Sequence, residues 1–341
     1  MVIGVVGLGL IGGSIAVRLS KNHTVLGMDS NRESAEYALG KGIISRIADI
    51  SEFKECDVVF VATPVNTTAD CVREVFNAVG SDAVITDVAS VKRILPGLSG
   101  ARIVGGHPMA GTEASGIKAA KEYLFENAYY VLVSYEDTLP ADYATVEGLV
   151  RELGARPVAM TAEEHDAQVA GISHMPHMVS YALASTPDDL SIAGTGFYDM
   201  TRIAGSDPSF WRNIMSLNRA NILSAVDGFI GKLGEMRAAL ADCDYGRLEK
   251  LFEAGREKRV QLEKSRPHLD EYFISVDIKD EVGALERISG LLAAENINVS
   301  SISIANSREG TGGALRLGFR KKDDCGRAAA ILKRSGYICD I

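Results

Sequence analysis

The chain has 341 residues, enough for two or three domains that each bury a core of their own. Its 46% apolar and 24% charged residues fit a soluble globular protein, and its formal net charge of -9 argues against nucleic acid or an anionic membrane as partner. An anionic substrate would therefore have to be drawn by a local cluster of Arg and His.

Val2 to Val6 is a short, β-branched, unbroken apolar run, as expected of a parallel strand buried on both faces. The apolar N-terminal stretch lacks a basic n-region and is rich in glycine, so it reads as a strand and phosphate loop rather than a signal peptide. The strand feeds Gly7-Leu8-Gly9-Leu10-Ile11-Gly12, a G-x-G-x-x-G, followed by a helical pattern over Ser14 to Ser20 and a second strand over Thr24 to Met28. Gly7 makes the tight turn, Gly9 lets the backbone approach a pyrophosphate, and Gly12 allows close helix packing, with Leu10 and Ile11 at the helix start facing the phosphates. Asp29, at the end of the second strand, would take the ribose hydroxyls and favours NAD over NADP, although Arg32 close behind leaves room for a 2′-phosphate.

The β/α alternation continues. Asp57 to Ala62 is a strand ending in Thr63-Pro64-Val65, at a carboxyl edge where open α/β sheets bind ligands. Ala83 to Thr86 is another, followed by Asp87-Val88-Ala89-Ser90-Val91-Lys92. Ile103 and Val104 lead into Gly105-Gly106-His107-Pro108-Met109-Ala110-Gly111-Thr112-Glu113. The glycines and proline predict a fixed, irregular backbone around His107 rather than a strand interior. His107 on this edge is a candidate acid/base, and Ser90 either a partner to it or a helix N-cap. Tyr129 to Val133 and Arg156 to Ala159 complete the strands, with a helix over Tyr143 to Leu153 between them.

From Thr161 to about Ser265 the pattern is helical. Thr161 and Glu164 form a capping box opening a long helix that carries Ser173-His174-Met175-Pro176-His177, kinked at Pro176. His174 and His177 share a face and suit a polar pocket wall; no third ligand stands at a recognisable spacing, so no metal is expected. A loop over Thr186 to Asp199 precedes Met200-Thr201-Arg202-Ile203-Ala204, and Asp207-Pro208 caps a helix from about Ser209 holding Phe210, Trp211, Ile214, Met215, Ile222, Val226, Phe229 and Leu233. Its broad apolar surface predicts a homodimer. A charged helix runs from Asp244 to Ser265. Beyond Pro267 the order is βαββαβ: strands at Tyr272 to Ile278, Asn298 to Asn306, Ala314 to Arg320 and Tyr337 to Ile341, helices at Ala284 to Glu295 and Asp323 to Arg334. Five scattered cysteines, with no C-x-x-C, predict reduced thiols in the cytoplasm and no zinc site. No apolar run reaches the length of a membrane span.

Four signatures in one order, namely the N-terminal fingerprint, Gly105-Gly106-His107-Pro108-Met109-Ala110-Gly111-Thr112, Ser173-His174-Met175-Pro176-His177, and Thr201-Arg202-Ile203-Ala204 with Ser206-Asp207-Pro208 and Trp211, resemble the prephenate dehydrogenase family of tyrosine biosynthesis over roughly residues 1 to 265. Asp280-Glu281-Val282-Gly283-Ala284-Leu285 resembles the first strand-to-helix loop of an ACT domain. The fold class expected is α/β, with an N-terminal Rossmann dinucleotide-binding domain over 1–160, an all-α dimerisation and substrate domain over 161–267, and a C-terminal ACT-like domain over 268–341. The resemblance implies NAD-dependent oxidation of prephenate with loss of carbon dioxide, giving 4-hydroxyphenylpyruvate. In that scheme His107 accepts the ring hydroxyl's proton, Ser90 orients it, and Arg202 binds a carboxylate with help from His177, His174 and Ser173. Thr112 and Glu113 line the pocket or its entrance. Gly7, Gly9, Leu10, Ile11, Gly12, Asp29, Thr63 and Pro64 hold NAD. Asp280, Val282, Gly283, Ala284 and Leu285 would bind an effector, tyrosine. Two features depart from the family: Ala89 stands where glycine is common, and the segment between His177 and Arg202 is short. The alternatives are an arogenate or dual cyclohexadienyl dehydrogenase, a β-hydroxyacid dehydrogenase, whose usual lysine motif has no match here, and a non-catalytic amino-acid sensor, against which His107, Arg202 and Asp29 speak.

Overall fold

The structure is a computed structural model that describes all residues except 96, 98, 99, 113, 266–271, 280, 309–311 and 341. The chain forms two compact units, Met1–Glu235 and Met236–Ile341.

The first unit is built on an eight-stranded sheet: β1 (Val2–Val6), β2 (Thr24–Met28), β3 (Arg46–Ile47), β4 (Val58–Val61), β5 (Val84–Asp87), β6 (Arg102–Pro108), β7 (Tyr129–Ser134) and β8 (Arg156–Met160), in the order β3-β2-β1-β4-β5-β6-β7-β8. β1 to β6 run parallel; β7 pairs antiparallel with β6, and β8 runs parallel to β7. Helices α1 (Leu10–Leu19), α2 (Arg32–Gly40), α3 (Val65–Val79) and α4 (Pro140–Glu152) connect and cover the strands. Both faces are buried, which is why the strands read as unbroken apolar runs. Ile3, Val5, Val58, Phe60 and Val84 share one core with Ile15 and Leu19 of α1 and Leu149 and Val150 of α4, while Val6, Val59, Val61 and Ile85 share the other with Val72, Val75 and Val79 of α3.

The backbone around His107 differs from the sequence reading. His107 lies inside β6, paired opposite Val131 of β7. The glycines before it serve packing rather than an irregular loop. A Cβ on Gly106 would stand 2.4 Å from the Asp87 carbonyl oxygen, and one on Gly105 would stand 2.8 Å from the Tyr135 hydroxyl.

The helical part of this unit begins with α5 (Ala162–Val169), opened by the Thr161/Glu164 capping box. One π turn, Ala170–His174, follows, and then α6 (Met175–Ala184). Pro176 sits in the first turn of α6, and the widened turn before it accommodates the missing N–H as a local bulge. The segment read as a loop over 186–199 contains the start of α7 (Thr195–Thr201), which a 3₁₀ turn, Arg202–Gly205, joins to α8 (Pro208–Leu217). The helix expected to run on from Ser209 is broken at Asn218, and α9 (Arg219–Ala241) starts beyond it. The Asn218 amide donates to the Asp166 carbonyl at 2.7 Å, and this tertiary bond outweighs helical continuity.

The second unit contains α10 (Tyr245–Ser265) and a four-stranded antiparallel sheet in the order β10-β11-β9-β12, formed by β9 (Tyr272–Ile278), β10 (Ser301–Arg308), β11 (Gly312–Phe319) and β12 (Cys339–Asp340). With α11 (Ala284–Ala294) and α12 (Lys322–Arg334) the order is the expected βαββαβ. Ile274 and Val276 alternate inward opposite Leu317 and Leu315 and pack with Ile288, Leu292 and Leu332 of the helices. Among the described residues, no helix is long and apolar enough to cross a membrane.

Candidate active site

The dinucleotide end of the sheet is set by glycine. Gly7 has φ +93°, and a Cβ there would meet the Ala62 carbonyl oxygen at 2.5 Å. A Cβ on Gly12 would lie 1.9 Å from the Gly7 oxygen, so only glycine lets α1 sit this close to the end of β1. Gly9, by contrast, has open space where its Cβ would be, and it caps α1 without a side-chain bond to the first-turn N–H groups of Leu10 and Ile11. An open glycine in front of a helix N-terminus fits a pyrophosphate. Asp29 closes the site: its carboxylate accepts from Leu8 N at 2.6 Å and Asn31 N at 2.7 Å, each oxygen keeping a lone pair for a ribose hydroxyl. Arg32 pairs with Glu36 at 2.8 Å. Thr63 and Pro64 follow β4, beside the end of β1, where Ala62 N donates to the Val6 carbonyl at 2.7 Å.

One sheet position along, β5 and β6 carry a buried polar cluster. His107 is 8% exposed, and its Nδ1 lies 2.8 Å from Nε2 of a fully enclosed His165 on α5. His165 Nδ1 lies 2.8 Å from Asp166 Oδ1. Asp166 is fixed in turn by the N–H groups of Lys92, at 2.7 Å, and Arg93, at 3.0 Å. Burial raises the Asp166 carboxyl, but the His165 bond and these N–H donors outweigh it and leave it below the usual carboxylate range. The Lys92 side chain is fully buried, and its ammonium donates to Asp87 Oδ2 and to the Gly106 carbonyl. Burial pulls this lysine below the ordinary range, while the Asp87 charge and hydrogen bond act against that. Burial, then the neighbouring His165, Lys92 and His174, holds His107 well below the ordinary histidine range, which keeps it neutral.

The helices supply the third group. Asn218 lies 3.2 Å from His174 Nδ1 and so links that histidine to the Asp166 carbonyl. Burial, then the nearby His165, lowers His174 to about 4. Its Nε2 is buried without a hydrogen-bond partner. His177 donates from Nδ1 to the Ser173 carbonyl at 2.9 Å and stacks on Trp211 at 3.5 Å between ring centroids. Burial, with a smaller contribution from the charge of Arg202, lowers His177, and the bond to Ser173 opposes them. The Tyr181 hydroxyl, donating to the Ser206 carbonyl at 2.6 Å, ties α6 to the end of the turn that carries Arg202.

The structure thus brings His107, His174 and His177 to the carboxyl edge of the sheet, with His177 stacked on Trp211, which packs with Val65 and Ala89; Ser173 precedes His174 in the π turn, and Arg202 opens the 3₁₀ turn after α7. Ser90 is half-buried on the short loop between Asp87 and Lys92. Ala89, where the family often has glycine, is buried against Val65, Val91, Trp211 and Ile214 at a φ that is not positive, so alanine is accommodated. Thr112 is exposed and accepts from Ala114 N at 3.3 Å, and Glu113 lies outside the described residues. In the second unit, Val282 and Gly283 form the turn into α11, with Gly283 at φ +82°, and Ala284 and Leu285 open that helix, while Asp280 lies outside the described residues. Sequence reasoning assigned nothing to Asp87, Lys92, His165, Asp166 or Asn218. The one available signal was an aspartate closing an apolar strand, five residues before a lysine.

Residues 15–159 match the model of the prephenate dehydrogenase nucleotide-binding domain, 161–254 that of the prephenate dehydrogenase dimerization domain, and 272–334 that of the ACT domain. The chain belongs to the prephenate dehydrogenase family. Prephenate dehydrogenase of Bacillus subtilis (strain 168) is 37% identical over 351 aligned residues, 96% of this chain and 94% of that one. Among solved structures, prephenate dehydrogenase from A. aeolicus, in complex with hydroxyphenyl propionate and NAD+, is 31% identical with a TM-score of 0.70, covering 77% of this chain and 98% of that one. Arogenate dehydrogenase of Synechocystis is 30% identical with a TM-score of 0.69, covering 77% of this chain and all of that one.

Proposed function

We propose that this prephenate dehydrogenase family member oxidises prephenate with NAD and releases carbon dioxide and 4-hydroxyphenylpyruvate, in the cytoplasm. The observation that carries the reading is His107, a buried histidine near the carboxyl end of β6, in the same sheet as the dinucleotide loop, tied through His165 and Asp166 to Asn218 and His174 of the helices. Gly7, Gly9, Leu10, Ile11, Gly12, Asp29, Thr63 and Pro64 would hold NAD, which when bound accepts the hydride lost from ring carbon C4.

His107 Nε2 takes the proton of the 4-hydroxyl as C4 loses hydride. The bond from the ring to its carboxylate breaks, its electron pair enters the ring, and carbon dioxide departs. The proton held on His107 returns to the oxygen, which becomes the product's phenol. Aromatisation drives the second step, so placement of the dianion is the protein's remaining task. Arg202 suits one carboxylate through its planar fork, with His177, His174 and Ser173 alongside and Ser90 orienting the hydroxyl. Thr112 and Glu113 would border the entrance.

Leu223, Ile230 and Leu233 of α9 are exposed, and this apolar helix surface supports assembly as a homodimer. The βαββαβ unit and its turn at Val282–Leu285 support feedback by tyrosine. Five free thiols fit a reducing compartment.

NADH formation on purified protein tests the reading. Prephenate should be turned over in preference to arogenate, and the reverse preference would overturn the substrate assignment. His107→Asn should cut turnover by about 10² or more while NAD still binds; near-normal turnover removes His107 as the base.

A further inference from the structure

His107, His165 and Asp166 stand in line, with successive separations of 2.8 Å from His107 Nδ1 to His165 Nε2 and 2.8 Å from His165 Nδ1 to Asp166 Oδ1. A carboxylate can only accept, so His165 carries a proton on Nδ1 and donates it. A neutral His165 then has only a lone pair on Nε2, and His107 must donate to it from Nδ1. That leaves the lone pair of His107 on Nε2. Asp166 cannot swing away, because Lys92 N and Arg93 N hold its two oxygens and Asn218 holds its carbonyl. His165 is edge-on to His107, with the rings at 76° and their centroids 5.0 Å apart, so the contact is directional rather than a stack.

We propose that His165 and Asp166 are positioning residues for the reaction. They hold His107 as the Nδ1–H tautomer, with Nε2 free to accept. When Nε2 takes the hydroxyl proton, the new positive charge on His107 is compensated by Asp166 through the bridging His165. The Nδ1 proton of His107 stays on His107 throughout. The inference rests on the reading of His107 as the base.

Two measurements on the full chain test it. In protein labelled with ¹⁵N-histidine, the His107 resonances should show Nδ1 protonated and Nε2 bare. A proton on Nε2, as a charged His165 donating toward His107 would impose, overturns the proposal without any variant. In steady-state kinetics on prephenate, His165→Phe removes the acceptor for His107 and should lower kcat about 10²-fold, with KM nearly unchanged. His165→Gln restores an acceptor oxygen at the place of Nε2 but breaks the link to Asp166, and should recover part of that loss. Asp166→Asn can donate to His165 and reverse both bonds, and should cost about 10²–10⁴-fold, as the wrong tautomer does in a Ser-His-Asp triad. Wild-type kcat in both His165 variants, alongside a His107→Asn that has lost turnover, overturns the relay and leaves the base in place. A His107→Asn that retains turnover overturns the base itself. If His165→Phe does not fold, His165→Gln and the wild-type spectrum still decide.

Discussion

Lys92→Met tests the buried charges that surround the base. Lys92 and Asp87 are both fully enclosed, and the ammonium bonds to Asp87 Oδ2 and to the Gly106 carbonyl. Methionine fills nearly the same space, so the change removes the charge and its hydrogen bonds rather than opening a cavity. What remains for the Asp87 carboxylate is backbone: Ala89 N on Oδ2 at 2.9 Å and Gly106 N on Oδ1 at 3.1 Å. Leaving one partner of a buried pair uncompensated costs about 3–5 kcal/mol. At a urea slope of about 2–3 kcal/mol per molar, the unfolding midpoint should fall by about 1–2.5 M. The chain's one tryptophan, Trp211, belongs to the same unit and reports its unfolding by fluorescence. Asp87→Asn on the Lys92→Met background should give back part of the loss, because no buried charge is then left alone. A midpoint at the wild-type value, or strictly additive effects of the two substitutions, would refute the reasoning, since residues in direct contact should couple.

Arg202→Gln should raise KM for prephenate about 10-fold or more with a smaller effect on kcat, as loss of a charged hydrogen bond to a bound carboxylate does; an unchanged KM removes Arg202 from the pocket. Deleting residues 268–341 should leave turnover intact and abolish inhibition by tyrosine, and inhibition that persists in the truncated enzyme places the effector site elsewhere. Because His174 is lowered from 6.5 to about 4 in the folded protein, its stabilising contribution is present in full above about pH 6.5 and is lost as pH falls toward 4. The shift corresponds to roughly 3 kcal/mol at most. His174→Gln should therefore flatten the loss of stability between those pH values in urea titrations, and an equally steep loss argues against a buried neutral His174.

The strands and the phosphate loop were legible in the sequence because each has a local cause. Unbroken β-branched runs follow from burial on both sheet faces, and Gly7 and Gly12 answer contacts within a few residues or at the end of the neighbouring strand. Local signals misled at two points. Gly105-Gly106-His107-Pro108 looks like a loop, but the glycines make room for Asp87, Tyr130 and Tyr135, none of which is a near neighbour in the chain. Asn218 sits within a helical pattern and breaks it, because its amide is drawn to the Asp166 carbonyl, 52 residues away. The site was half legible for the same reason. His107, His174, His177 and Arg202 stand in recognisable signatures, whereas Lys92 reads as an ordinary surface lysine, and His165-Asp166, between Glu164 and Gln168, reads as the solvated face of a capped helix. Only the fold turns that face toward β6.

The arrangement explains why a base can be kept both buried and useful. The cluster around His107 contains one ammonium, Lys92, and two carboxylates, Asp87 and Asp166, all closed off from solvent. With the histidines neutral, one positive charge against two negative ones leaves a formal charge of minus one. Before reaction, burial and the Lys92 charge keep His107 unprotonated, so it is ready to accept. Taking one proton brings the cluster to zero, and the charge that answers it, on Asp166, is already in place and hydrogen-bonded. The protein therefore does not have to reorganise as the proton moves, which is the condition under which a low-dielectric site favours a transition state over a ground state. Lys92 and Asp166 act in opposite directions on the same imidazole: removing the first should make His107 easier to protonate in the free enzyme, and removing the second should make it harder during turnover.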